Sequence, residues 1–303
     1  MPDPERKSIS ATQAPALYRA SPYITPWMLY HYLRGADIDP QVSNRMVWGS
    51  KMQPLILEQA QAELKLDIEG NFAQVYVRSI HGPLGYTSDA NIWCPSRGKG
   101  CVEVKCVFDL GVWMREWGGG VSVPRHHELQ LQHQLTVGDG NEPYAWGVIA
   151  VWVCGEMKYY ERSRDHAVSA DLIGRCVEMM QTVAQAREPD PFGDAVELPV
   201  LQKLFPPVKG KELDMREHEH GGAIAQMAAD YKSWKAQENF FSKAADDART
   251  KLLTIAKDNE TVWLPGAKLK LTTQHMKEHM RKASSHTKLT VTIEESDDEA
   301  TPE

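Results

Sequence analysis

Asp89, Glu103 and Lys105 are the side chains of this 303-residue chain whose types and spacing point most directly to chemistry. Glu103 and Lys105 lie in the β-branched segment 101–108, CVEVKCVF, where alternation sets both on one face and turns Val104 to the other. A carboxylate and an amine on an otherwise apolar strand are costly unless they meet partners or work together. Asp89 lies 14 residues before Glu103, enough chain for a loop that returns its carboxylate to the same place. Two carboxylates converging with a free backbone carbonyl suit a hard, oxygen-loving cation such as Mg²⁺. Water activated by such a cation, with Lys105 orienting it or lowering its pKa, is a nucleophile for phosphodiester hydrolysis. An ordinary salt bridge on a half-buried strand is the plainer reading of the same residues.

The elements that would position this set read as mixed α/β over the first 200 residues. Residues 25–34 and 49–64 carry helical spacing, with Met52, Leu55, Ile56 and Ala60 on one face. Residues 73–80 alternate as a strand and end at the turn His81-Gly82-Pro83, followed by a strand over 84–89. Gly118-Gly119-Gly120 precedes a polar helix over 125–137 and reads as a flexible loop. The apolar run 147–153 predicts a strand covered on both faces, with 157–162 as its hairpin partner and a helix over 168–187.

Prolines 189, 191, 199, 206 and 207 make 188–212 a linker or extended strap. Residues 213–257 predict one long charged helix with Met227, Tyr231, Trp234, Phe241, Ala245 and Leu252 on a stripe, suited to packing on the first part or on a partner helix. A hairpin over 259–273 turns at Pro265-Gly266, and 294–303 reads as an acidic disordered tail. The organisation expected is a domain over 1–190, a linker over 191–212, a helical extension over 213–293 and the tail.

Charge alone argues against a nucleic-acid partner, since 41 acids face 34 bases for a net charge of −7. Six of those acids lie in 294–303, however, and without them 35 face 34, so the body is near neutral. No apolar run approaches the roughly 20 residues of a membrane span, and the N-terminus does not read as a signal peptide. Five irregularly spaced cysteines suit free thiols in a reducing cytoplasm.

Four segments in order resemble the lambda exonuclease / YqaJ viral recombinase family, a branch of the PD-(D/E)XK nucleases. They are Ile9-Ser10-Ala11-Thr12 with Ser21-Pro22-Tyr23-Ile24-Thr25-Pro26; Trp48-Gly49 with Glu58; Ser88-Asp89 with Val102-Glu103-Val104-Lys105; and the glutamine-rich 129–135. The resemblance covers roughly residues 6–190. It implies a restriction-endonuclease-like α/β core, a central mixed β-sheet flanked by helices, with a mainly helical C-terminal extension. By it, Asp89, Glu103 and the Val104 carbonyl hold the metal, Lys105 is the catalytic lysine, and Gln130 is presented to the site. Thr12, with Arg6 or Lys7 and Arg6 preferred, meets the 5′-phosphate of a DNA end. Ser21 and Thr25 read as helix caps.

Two positions depart from the family pattern. Gln53 stands where an acid is common, so metal affinity or pH dependence is expected to differ, with Glu58 a less direct substitute. Ser88-Asp89-Ala90 replaces Pro-Asp-Gly, which puts the loop geometry in question. Other sets are weaker. The cysteines lack zinc-site spacing, and His218-Glu219-His220 reads as a solvated helix start. His126-His127 and the basic set Lys268, Lys270, Lys277, Arg281, Lys282 and Lys288 read as solvated faces before they read as phosphate contacts. Trp113 and Trp117 either stack on bases or are buried loop aromatics.

The resemblance implies a Mg²⁺-dependent exonuclease, with Mn²⁺ able to substitute, that degrades double-stranded DNA from its ends 5′→3′. Its single-stranded tails would serve phage-type recombination with an annealing protein. A trimeric ring around DNA and a bacterial cytoplasmic setting of phage or prophage origin follow from it as well. The competing readings are an endonuclease or single-strand nuclease of the same fold, and a DNA-binding recombination scaffold with a weakened site.

Overall fold

The apolar run around 147–153 becomes β7 (Trp146–Val153), buried along nearly its whole length as a strand covered on both faces must be. It pairs parallel with β6 (Gly98–Val107) and antiparallel with β8 (Glu156–Ser163). On the far side of β6 run β5 (Ala90–Cys94) and then β2 (Asp67–Glu69), both antiparallel to their neighbours, giving the order β2-β5-β6-β7-β8. Cys154 and Gly155, both at positive φ, make the two-residue turn joining β7 to β8. These statements come from a computed structural model that describes residues 8–38, 43–69, 75–206, 209–210, 212–214, 216–265, 267–275 and 285–293. The chain divides into two compact units, Met1–Val208 and Lys209–Glu303.

A parallel pair cannot be closed by a hairpin, so the chain between β6 and β7 must cross one face of the sheet. It does so through α3 (Leu110–Glu116) and α4 (Arg125–Val137). Leu131 and Leu135 of α4 pack on Cys101, Ile149 and Val151. The approach is close enough that a Cβ on Gly147 would meet Leu131 at 3.0 Å and the Cys101 carbonyl at 2.9 Å. On the other face lies α2 (Asn44–Leu64), whose Ile56, Leu57 and Ala60 meet Ala90, Ile92, Val102 and Val148. The first unit is thus a mixed sheet flanked by helices, the α/β class expected. One face residue differs from expectation: Leu55 is exposed and Leu57 is buried in its place.

A second small sheet, with β1 (Ile9–Ser10) parallel to β4 (Leu84–Thr87) and β3 (Tyr76–Arg78) on β4's other side, shares a core with α1 (Pro26–Leu33) and α5 (His166–Ala184). Thr25 caps α1, accepting from the Met28 amide, and Ser21 caps the turn before it, accepting from Tyr23 and Ile24. The proline-rich segment is a strap over part of its length. A 3₁₀ turn, Ala195–Glu197, leads into α6 (Leu198–Leu204), and Val196, Val200, Leu201 and Leu204 pack on Trp27 and Met28. Glu197 is fully buried and accepts from Thr25 Oγ1 at 2.6 Å and from the Phe192 and Gly193 amides. Apolar spacing across 196–204 outweighs the prolines that flank it.

In the second unit, α7 (Gly221–Ala256) is a single 36-residue helix. The hairpin β9 (Thr261–Leu264) and β10 (Ala267–His275) is extended by a third antiparallel strand, β11 (Ser285–Ile293), which the sequence pattern did not predict. The tail 294–303 and residues Lys277, Arg281 and Lys282 lie outside the described residues, while Lys268 stacks over the Trp263 ring at 4.3 Å. Among the described residues, no helix is long and apolar enough to cross a membrane.

Candidate active site

The register of β5 on β6 brings the two carboxylates together. Pairing runs from Cys94 opposite Gly98 up to Ala90 opposite Val102, and Asp89 lies one residue beyond this last pair, near enough to Glu103 for the two charges to interact. Asp89 ends that ladder with its side chain: Oδ2 accepts from the Val104 amide at 2.7 Å. A strand residue's carbonyl points to the same side as its amide, so Val104 offers its oxygen along the edge that β5 has left. From α2, Gln53 Nε2 donates to Asp89 Oδ1 at 2.9 Å.

Alternation turns Cys101, Glu103 and Lys105 toward α4, the crossover helix, and its glutamines meet them there. Glu103 is 3% exposed and surrounded by donors. The Lys105 ammonium donates to Oε1, Gln130 Nε2 donates to the same oxygen at 2.7 Å, and Gln134 Nε2 donates to Oε2. Lys105 also donates to Gln130 Oε1 at 3.1 Å, which closes a triangle of Glu103, Lys105 and Gln130. The Cys101 thiol donates to Gln134 Oε1 at 3.6 Å, so both ends of each amide are engaged. Gln134 was not among the expected site residues. Its position one helical turn after Gln130, on the same face, was the signal for it.

Burial, and then the Glu103 charge, push the Asp89 carboxyl up to about 7, against the opposing pull of Lys105 and the Val104 amide. Burial, and then the Glu103 and Asp89 charges, raise the Cys101 thiol well above its ordinary value, which favours the protonated donor seen toward Gln134. His126 and His127, at the start of α4, lie against each other with ring centroids 3.9 Å apart and planes tilted by 51°. Burial, and then the nearby Lys105 charge, pull both below the usual imidazole range, His126 to about 4. They are therefore neutral neighbours of Lys105 and not a solvated basic face. Trp113 and Trp117 are buried and stacked at 5.4 Å, with Trp117 against His127, so they form a wall and not an exposed base-stacking pair. Gly119 and its flanking glycines, all at positive φ, make a 3₁₀ turn packed beside Trp113 where a loose loop was expected.

Several expected members stand apart. Glu58 is exposed on α2, and among the described residues no three His, Cys, Asp or Glu side chains converge on one point. Thr12 is exposed and pairs with Ser10 Oγ at 3.0 Å, and Arg6 lies outside the described residues. What remains at the centre is two carboxylates and a backbone carbonyl, an all-oxygen set. A hard divalent cation fits it, since two positive charges between Asp89 and Glu103 would reverse the repulsion that now raises Asp89. The other coordination positions would be left to water or phosphate oxygens, as Mg²⁺ prefers.

Residues 4–141 match the family described as the YqaJ-like viral recombinase domain, a span that contains Gln53, Asp89, Glu103, Lys105, Gln130 and Gln134. Among solved structures, the chain is similar to LHK-Exo in complex with dAMP, with 12% identity, a TM-score of 0.48 and coverage of 66% of this chain and 94% of that one. It is similar also to the alkaline exonuclease LHK-Exo from Laribacter hongkongensis, with 12% identity, a TM-score of 0.47 and coverage of 66% and 95%. No curated protein matches the sequence.

Proposed function

We propose, from the match of residues 4–141 to the YqaJ-like viral recombinase domain, that the protein is a Mg²⁺-dependent exonuclease that degrades double-stranded DNA from its ends in the 5′→3′ direction. The single observation that carries this reading is Asp89 bonded to the Val104 amide beside Glu103, with Lys105 and Gln130 bonded to the Glu103 carboxylate.

Asp89, Glu103 and the Val104 carbonyl would hold the cation. When bound, it neutralises phosphate charge and lowers the pKa of the attacking water. Lys105, fixed by Glu103 and Gln130, presents a positive charge on the α4 side of the carboxylates, where charge builds on a phosphodiester under attack. Gln130 and Gln134 fix Glu103, and Gln53 and the Val104 amide fix Asp89, so both carboxylates are oriented before substrate arrives. The neutral pair His126 and His127 adds no competing positive charge beside Lys105. Thr12 and Arg6 are the proposed contacts to the terminal 5′-phosphate, and the tails produced would serve recombination through a single-strand annealing partner.

Incubation of end-labelled linear duplex with Mg²⁺ tests the reading. Release of mononucleotides from 5′-phosphorylated ends, with covalently closed circles untouched, is the expected result. Nicking of closed circles would instead identify an endonuclease. Duplex binding without cleavage in Mg²⁺ or Mn²⁺ would identify a scaffold whose site is weakened at Gln53.

A further inference from the structure

We propose that α7 is a self-association helix that pairs antiparallel with α7 of a second copy of this chain. Positions 224, 227, 231, 234, 238, 241, 245, 248, 252 and 255 recur at alternating steps of three and four, the spacing of a coiled-coil seam. They are Ile, Met, Tyr, Trp, Glu, Phe, Ala, Ala, Leu and Ile, all within the one helix. Most of its apolar members stand in solvent, Leu252 being half-buried: Met227 is 66% exposed, Tyr231 61%, Trp234 63%, Phe241 65% and Ile255 62%. A contiguous exposed apolar stripe of this kind marks an interaction surface.

The order of large and small residues selects the occupant. Against a parallel copy, Trp234 would meet Trp234 and Ala245 would meet Ala245, crowding one half of the seam and leaving holes in the other. An antiparallel copy placed with Glu238 opposite the partner's Phe241 removes both faults. Trp234 then meets the partner's Ala245, Tyr231 the partner's Ala248, Met227 the partner's Leu252 and Ile224 the partner's Ile255. The two-fold axis repeats each of these contacts, as an isologous interface requires. In the same register Asp230 flanks the seam beside the partner's Lys251, again twice, so charge and size agree on one arrangement. Glu238, which pairs with Lys235 on its own helix at 2.6 Å, is the polar seam residue that fixes register at some cost in stability. The 32 residues from 224 to 255 run about 48 Å, long enough for an interface of standard size, about 1,600 Å² in total.

Sedimentation of the full chain across a wide concentration range tests this pairing. A reversible dimer is expected. Trp234→Ala and Ala245→Trp should each weaken it about ten-fold or more, one by a cavity and the other by overpacking. The double variant should regain the parental affinity, because each chain again offers one large and one small residue. Asp230→Lys should weaken association, and Asp230→Lys with Lys251→Asp should recover it. Circular dichroism of each variant confirms that the helix persists. A chain that is monomeric throughout, or a dimer or trimer indifferent to the single variants, would overturn the proposal. So would a failure of both double variants to recover.

Discussion

α4 and α7 invert each other. From Leu129 to Val137, α4 is buried at every position although Gln130, Gln132, His133, Gln134 and Thr136 are polar. α7 presents Met227, Tyr231, Trp234 and Phe241 to solvent although those residues are apolar. Polarity along a helix reports the kind of partner it needs, not whether water is that partner. The amides of α4 are satisfied inside the first unit: Gln130 and Gln134 by Glu103, Gln132 by the Ser163 carbonyl and the Asp165 amide. The apolar stripe of α7 has its complement in its own sequence read backwards.

Breaking the α4 side of this contrast should have the larger effects. Glu103→Gln keeps the size of the side chain and removes the charge that a cation and Lys105 require. Cleavage of end-labelled duplex in Mg²⁺ should fall by about a thousand-fold or more with the thermal midpoint held. Near-parental activity in this variant would remove Glu103 from the site. Next in size is Gln134→Leu, which leaves Glu103 Oε2 without its donor in a buried setting. A loss of about 1–3 kcal/mol in denaturant unfolding is expected, and an unchanged midpoint would show that Glu103 does not depend on Gln134.

The Asp89 site makes a pH-dependent version of the same test. With its folded value raised to about 7, the metal-free native state holds a proton that the unfolded chain releases near the ordinary carboxylate value. Its contribution to stability is therefore lost as pH rises from about 4 to 7. His126 and His133, both pulled to about 4 chiefly by burial, act oppositely, and their contribution is lost as pH falls from about 6.5 to 4. Asp89→Asn should match the parent near pH 4 in the presence of chelator and exceed it in thermal midpoint above pH 7, while abolishing cleavage. A midpoint difference that is flat from pH 4 to 8 would contradict the raised carboxyl. The smallest effect is expected on α7 away from the seam. Phe240→Ser removes an apolar residue that is 68% exposed, and global stability should change by no more than about 0.5 kcal/mol.

This inversion also explains what the sequence disclosed. The apolar run of β7 and the alternation of β6 were legible because burial on two faces and on alternate faces leaves a direct imprint on residue type. The 125–137 helix was legible as an element, and the resemblance turned Gln130 to the site, but the burial of Gln132, His133, Gln134 and Thr136 was not legible, since polar residues carry no mark of the partners that satisfy them. Asp89, Glu103 and Lys105 stood out because charge on an apolar strand is costly. Gln53 and Gln134 act through a neighbour's carboxylate, and an amide on a helix carries no comparable mark. The packed 196–204 segment was overlooked because its prolines speak for chain stiffness, whereas its packing depends on Trp27 and Met28, far away in sequence.

That packed segment also sets a timetable. Thr25 and its partner Glu197 are 172 residues apart. With synthesis proceeding at about 5–20 residues per second, α1 waits on the order of ten to thirty seconds for the carboxylate that completes its cap. Over that interval Trp27 and Met28 lack Val200 and Leu204. The nascent N-terminus therefore offers an apolar surface that ribosome-associated chaperones are suited to shield until residues 196–204 have been made.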